Sequence, residues 1–148
     1  MNPRTWIVLA DRTTARFYQP QEGKRDWKLV AELSHPESRA KEMDLVSDKP
    51  GRVQQSAGGR AAMEPPTPRK KVESEKFARQ IAKTLYDATV RNSFEQLVLV
   101  TPPEFLGLLR SLLQEQVERR IVATVEKDYL HLDSPEVRSR LAKQIEAR

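Results

Sequence analysis

Residues 96–101 decide the fold, because they read Gln96-Leu97-Val98-Leu99-Val100-Thr101, with four successive apolar residues. A strand that is apolar on both faces must be covered on both sides, which is typical of buried parallel strands in α/β proteins. The two prolines that follow end the strand, since proline cannot donate a hydrogen bond to the ladder. The stretch therefore predicts a buried parallel strand in an α/β domain.

Three short strands are predicted upstream, where apolar and strand-forming residues alternate with polar turns. They are Thr5–Ala10, Ala15–Gln19 and Trp27–Leu33, separated by the polar turns 11–14 and 21–26. Turns this short favour hairpin pairing, so the three strands are expected to form an antiparallel meander.

Downstream, helices alternate with strands. Amphipathic spacing predicts a helix over about Val72–Arg91, a second through residues 106–117, a strand at Ile121–Val125 and a last helix that begins at Ser134. The whole chain of 1–148 is thus predicted to be one α/β domain with a mixed sheet, antiparallel first and parallel later, and helices packed on it. The predicted core residues are Ile7, Val30, Leu99 and Val122 on strands and Phe77, Ile81, Leu85, Leu109 and Leu141 on helices.

The composition limits the possible functions. Of 148 residues, 38% are hydrophobic and 32% are charged, as in soluble proteins with solvated helix faces. The absence of cysteine excludes disulfides, thiolate metal sites and cysteine nucleophiles. No apolar run approaches the length of a membrane span and the N-terminus lacks a signal-peptide core, so we expect a cytoplasmic protein without a membrane partner.

The basic segment, residues 48–71, carries the positive charge of the chain. From Lys49 to Lys71 six Lys/Arg oppose one Glu, a net of +5, which equals the net charge of the whole chain, 26 − 21 = +5. Three of the five glycines and four of the ten prolines lie here, so a loop that is mobile in the free protein is predicted. A cationic loop suits contact with phosphates; a solvated linker is the alternative. The predicted nucleic-acid-binding residues are Lys49, Arg52, Gly58, Gly59, Arg60, Arg69, Lys70 and Lys71.

Several pieces of the chain, in order, resemble the bacterial host attachment protein family. They include Asp-Leu-Val-Ser-Asp-Lys-Pro-Gly-Arg at 44–52, Met-Glu-Pro at 63–65 and Phe-Leu-Gly-Leu-Leu-Arg at 105–110, and the match extends from Trp6 to about Leu141. The family name implies adhesion, but the sequence shows no export signal, membrane anchor or repeat array. An adhesin is therefore not expected.

The layout is also similar to the middle domain of archaeal and eukaryotic peptide chain release factors and of Pelota, which implies an RNase H-like scaffold. In that domain a basic loop carries Gly-Gly-Gln, where this chain has Gly58-Gly59-Arg60. Gly58 and Gly59 keep the backbone freedom that the resemblance implies. The guanidinium of Arg60 only donates hydrogen bonds, so it cannot replace the glutamine amide, which both donates and accepts. Gln54 and Gln55 lie nearby, but no motif places them in that role.

Other catalytic signals are weak, and no catalytic residue, metal site or cofactor is assigned. Asp11 and Asp128 follow strands, so a two-metal nuclease is one hypothesis. Turn or helix capping and a salt bridge with an arginine such as Arg12 or Arg110 explain the two acids more simply. His35 is expected at the surface and His131 in a structural role. Gly107 is expected to bring its helix close to the sheet.

The sequence thus favours an RNA- or ribosome-associated accessory or rescue factor that acts through the basic segment, with the ribosome or tRNA as partner. An interaction protein that binds an acidic protein and affects host attachment indirectly is the alternative. A hydrolase of peptidyl-tRNA or nucleic acid comes third, so catalysis is less expected than binding. The sequence leaves the oligomeric state open.

Overall fold

The computed structural model describes residues 3–35 and 68–146. Strands β1 (Thr5–Ala10), β2 (Thr14–Gln19) and β3 (Lys28–Ser34) come first. They are followed by α1 (Pro68–Val90), β4 (Gln96–Val100), α2 (Pro103–Leu112), α3 (Glu115–Glu118), β5 (Ile121–Val125) and α4 (Ser134–Glu146). None of the helices in these two ranges is both long enough and apolar enough to cross a membrane.

The strands form one open sheet in the order β3-β2-β1-β4-β5. β1 pairs antiparallel with β2 and parallel with β4, β2 pairs antiparallel with β3, and β4 pairs parallel with β5. The predicted α/β class and mixed sheet are therefore confirmed, including the early meander and the later parallel strands. The RNase H-like assignment stays a prediction.

Both faces of the sheet are covered, because successive residues of β1 and β4 belong in turn to two apolar cores, one on each face. On one face Trp6 and Val8 pack with Leu97, Leu99 and the apolar side chains of α1, α2 and α3. On the other face lie Ile7, Leu9, Val98, Val100, Val125, Tyr129 and the α4 residues Val137 and Leu141. The apolar run that begins at residue 97 thus occupies a central strand, as its sequence predicts.

The first helix begins four residues earlier than predicted, at Pro68 rather than Val72. Proline suits the first helical position, because the amide it lacks would have no partner inside the helix. Arg69, Lys70 and Lys71 consequently belong to the first turn of α1. Their assignment to a loop that extends to residue 71 is wrong.

A register shift explains why Val122 does not reach the core. Leu97 pairs with Ile121 while Val98 pairs with Ala123, so Val122 is the additional residue of a β-bulge. Its side chain is 54% exposed, and its prediction as a core residue is wrong. β3 carries a similar irregularity, where Phe17 pairs with Ala31 and Tyr18 with Leu29, and Val30 is only partly buried.

The helix predicted through residues 106–117 is divided. Leu113 has extended backbone angles, φ −76° and ψ 142°, which end α2 before the short helix α3. Gly107 is exposed, and a Cβ added there would have no heavy atom within 4 Å. The expected close approach at Gly107 is therefore wrong, and α2 contacts the core through Phe105, Leu106 and Leu109.

Candidate nucleic-acid interface

One edge of the sheet gathers the residues that could bind a ligand. The parallel strands β1, β4 and β5 end there, and so does β3, which is antiparallel to β2 and hence parallel to β1. We call this the carboxyl edge. From β1 the chain turns back into β2 on one side, and from β4 it crosses through α2 and α3 to β5 on the other. Ligands of open α/β sheets bind where connections diverge in this way.

His35 attaches the start of α1 to this edge. Its amide donates to the carbonyl oxygen of Thr13 at 2.8 Å, and its Nε2 lies 2.8 Å from Glu73 Oε1. Its ring stacks on Phe77 with 5.5 Å between ring centroids. The predicted surface position of His35 is wrong, because β3 continues to Ser34 and delivers His35 into the contact with α1. Residue 35 and the first turns of α1 therefore lie together at the carboxyl edge.

Three consecutive cations, Arg69, Lys70 and Lys71, occupy the first turn of α1. They supply half of the six Lys/Arg counted from Lys49 to Lys71, and this turn contains no acid. The positive end of the helix dipole disfavours cations there, so helix stability does not account for them. Bound anions would offset this repulsion. The described residues do not include the other predicted binding residues, which are Lys49, Arg52, Gly58, Gly59 and Arg60. The mobility of their segment stays a prediction.

A cleft of about 830 Å³ opens beside this turn, between the β1–β2 connection, α1 and the beginning of α2. We call it the switch-point cleft. Its lining residues are Asp11, Arg12, Thr13, Lys71, Ser74, Glu75, Pro102, Glu104, Phe105 and Leu108. The residue before Pro102 is Thr101, which is 1% exposed and whose hydroxyl has no hydrogen-bond partner among the described residues.

Two of the three acids in the switch-point cleft are engaged by neighbours. Asp11 Oδ1 accepts hydrogen bonds from the amides of Thr13 at 2.8 Å and Thr14 at 2.9 Å. Glu75 accepts from Arg79 at 2.7 Å. The charge of these two acids is thus partly compensated, whereas the three-cation turn, which includes Lys71, adds positive charge at the rim. The cleft can accommodate an anionic group beside the apolar wall formed by Phe105 and Leu108.

The geometry gives no support to nuclease chemistry. The turn-capping interpretation is confirmed for both candidate acids, since Asp11 caps the β1–β2 turn and Asp128 Oδ1 accepts from the amide of Leu130 at 3.3 Å. Arg110 pairs with Glu118 at 2.9 Å and not with either acid. No three His, Asp or Glu side chains in residues 3–35 and 68–143 are grouped so as to hold a metal ion. His131 is exposed, so its predicted structural role is wrong.

Sequence reasoning missed the participation of Arg12 and Ser74 in the cleft. Arg12 follows the end of β1 by two residues, and the end of a central parallel strand is a position where binding residues gather. This position was visible in the sequence, but Arg12 was interpreted only as part of the polar turn at residues 11–14. Ser74 carried no signal, because its place in the cleft depends on how α1 packs.

Comparison with known proteins places most of the chain within one family model. Residues 6–141 match the model described as "Protein required for attachment to host cells". No curated protein matches the chain.

Proposed function

The chain belongs to the family of proteins required for attachment to host cells, and from that premise we propose that it is an RNA-binding accessory factor whose target is the ribosome or tRNA. RNA is bound at the carboxyl edge, through the basic segment, whose last residues form the first turn of α1. The effect on host attachment is then indirect. A cytoplasmic location is part of the proposal, because its target is cytoplasmic.

The concentration of charge in the first turn of α1 carries this proposal. Arg69, Lys70 and Lys71 are adjacent in sequence, lie where the helix dipole adds further positive potential, and border the switch-point cleft through Lys71. Helix N-termini bind phosphate groups because their amides and dipole favour negative charge. Phosphates placed here would contact both lysine or arginine side chains and the end of the helix.

The fold supports the release-factor resemblance as part of the same proposal. Antiparallel strands precede the basic segment, and a helix, a strand and a further helix follow its start, which is the order that the resemblance to the release-factor middle domain implies. The buried contact between His35 and Glu73 holds the end of β3 and the first turns of α1 together at the carboxyl edge. An accessory or rescue role follows more readily than hydrolysis, because Arg60 stands where that domain has its glutamine.

A charge-removal variant tests the proposal. Arg69, Lys70 and Lys71 are replaced together by alanine in the full chain, and binding to a labelled single-stranded RNA is measured by fluorescence anisotropy across a salt series. The matched control removes three exposed cations elsewhere, Lys24, Lys28 and Arg91. Each phosphate contact contributes about 0.7 to the slope of log affinity against log salt, so the test variant should lose roughly 2 from its slope.

The fold of the test variant should survive. Alanine is the best helix former, and loss of cations beside the positive helix end removes a repulsion, so circular dichroism should show an unchanged domain. Equal affinity and slope in parent and test variant would contradict the proposal. A parent that binds no RNA but captures polyglutamate would instead favour an acidic protein partner.

A further inference from the structure

A second group of cations lies around a hollow of about 440 Å³ between α4 and the chain that follows β5. We call it the Lys127 hollow. Its lining residues are Lys127, Tyr129, Glu136, Ser139, Arg140 and Lys143. The hollow contains three cations and one acid, and it lies on the sheet face opposite α1, because Tyr129 and α4 belong to the second core.

The guanidinium of Arg140, whose side chain is half exposed, has two neighbours beside the hollow. Its Nε lies 3.1 Å from Glu136 Oε2, and its Cζ lies 5.7 Å from the centroid of the Tyr129 ring. Tyr129 is only 6% exposed, so the ring is a fixed support for the cation. Glu136, the only acid of the hollow, is thus engaged by Arg140, whereas Lys127 and Lys143 are exposed. The planar fork of a guanidinium is itself preorganised, so less side-chain freedom is lost for each hydrogen bond that it donates to a phosphate.

We propose that the Lys127 hollow binds a phosphate group of the RNA that the first turn of α1 binds, so that a single strand crosses the carboxyl edge from one face of the sheet to the other. This inference rests on the proposed function. Lys127, Arg140 and Lys143 neutralise the phosphate, and the Ser139 hydroxyl can donate a hydrogen bond to it. A bare phosphate contact carries no base specificity, so the hollow strengthens binding to any sequence.

The two groups of cations are close enough for one strand. Arg12 follows the end of β1 by two residues, Lys127 follows the end of β5 by two residues, and only β4 lies between these strands. Neighbouring strands are about 4.8 Å apart, so the ends of β1 and β5 are separated by roughly 10 Å along the sheet. The helices α1 and α4 each pack about 10 Å from the sheet on opposite faces, so the two groups of cations are roughly 20–25 Å apart. Stacked nucleotides advance about 3.4 Å each, so about six to eight nucleotides span this distance.

The test uses the full chain with Lys127 and Lys143 replaced by alanine, which leaves Arg140 and its two supporting contacts in place. Binding to the same labelled single-stranded RNA is measured across a salt series. Loss of this one phosphate contact should reduce the salt slope by about 0.7. The control variant, with Lys24 and Lys28 replaced by alanine, removes the same charge and should keep the parent slope.

A second measurement locates the contact. Titration of the parent with a short RNA oligonucleotide should shift the amide resonances of Lys127, Ser139 and Lys143 as well as those of the α1 first turn. If the parent binds RNA but the K127A/K143A variant keeps its affinity and slope, or if the shifts are confined to α1, the second site is contradicted while the proposed function stands. A parent that binds only polyglutamate overturns both.

Discussion

His35 Nε2 lies 2.8 Å from Glu73 Oε1, with both side chains almost fully buried at 7% and 6% exposure. This contact joins the end of β3 to α1 across 38 residues of sequence. Lys76 Nζ lies 3.6 Å from the other Glu73 oxygen, so the carboxylate also has a cation on its exposed side. Buried polar groups are tolerated only when they are paired, which makes each partner dependent on the other.

Glu73→Ala should therefore lower the free energy of unfolding by about 1–3 kcal/mol, because it leaves the buried His35 ring nitrogen without this partner. Urea denaturation followed by circular dichroism measures the loss. Glu75→Ala, two residues along the same helix, is the control. Glu75 is exposed and pairs only at the surface with Arg79, so the cost should stay below about 1 kcal/mol. Equal losses of unfolding free energy in the two variants would show that the buried pair stabilises the protein no more than the exposed pair.

Leu99→Ala should lower the free energy of unfolding by about 2–5 kcal/mol, because Leu99 is 0% exposed on a central strand and its truncation leaves a cavity. Val122→Ala is the comparison, since Val122 is 54% exposed at the bulge of β5. It should cost no more than about 1 kcal/mol. A melting curve for Leu99→Ala that coincides with the parent curve would refute the placement of this strand.

The two glycines with described surroundings should respond in opposite directions to alanine. Gly23 has φ +75°, where an alanine is strained, so Gly23→Ala should destabilise the protein by about 1–2 kcal/mol. Gly107 is an exposed helical residue with open space around its Cα, so Gly107→Ala should stabilise by about 0.5–1 kcal/mol. Thermal melts of the two variants check this. If Gly107→Ala instead destabilises the protein, the result would contradict the open space around Gly107 and favour a close contact between the helix and the sheet.

The sequence predicted the fold well wherever periodicity alone determines the element. The doubly apolar run at Leu97–Val100 indicates a buried parallel strand, and the short polar turns indicate the antiparallel meander. The parallel pairing of β1 with β4 was not predicted, because it depends on how the meander packs against the later strands. The bulge at Val122 and the break at Leu113 were not predictable, because each depends on the register of a neighbouring strand or on the packing of a helix end. The helix start at Pro68 was missed because the clustered prolines were interpreted as a loop.

The candidate site was predictable only as a concentration of charge. The lysines and arginines near residue 70 were identified from composition, but their place on a helix depends on where α1 begins. Arg12 and the Lys127 hollow come from distant parts of the chain, so only the sheet order brings them to the same edge. The buried position of His35 likewise depends on α1, which lies far from it in sequence.

Co-sedimentation of the parent protein with ribosomes across a salt series tests RNA binding by the carboxyl-edge cations most directly. The protein should pellet with ribosomes at about 50 mM salt and be released as salt rises, because phosphate contacts release counterions. The three cations of the α1 first turn, at about 0.7–0.9 each, predict that affinity falls by at least roughly 20- to 40-fold between 50 and 200 mM. Failure to pellet at the lowest salt, or association that does not change with salt, would contradict RNA binding at this edge.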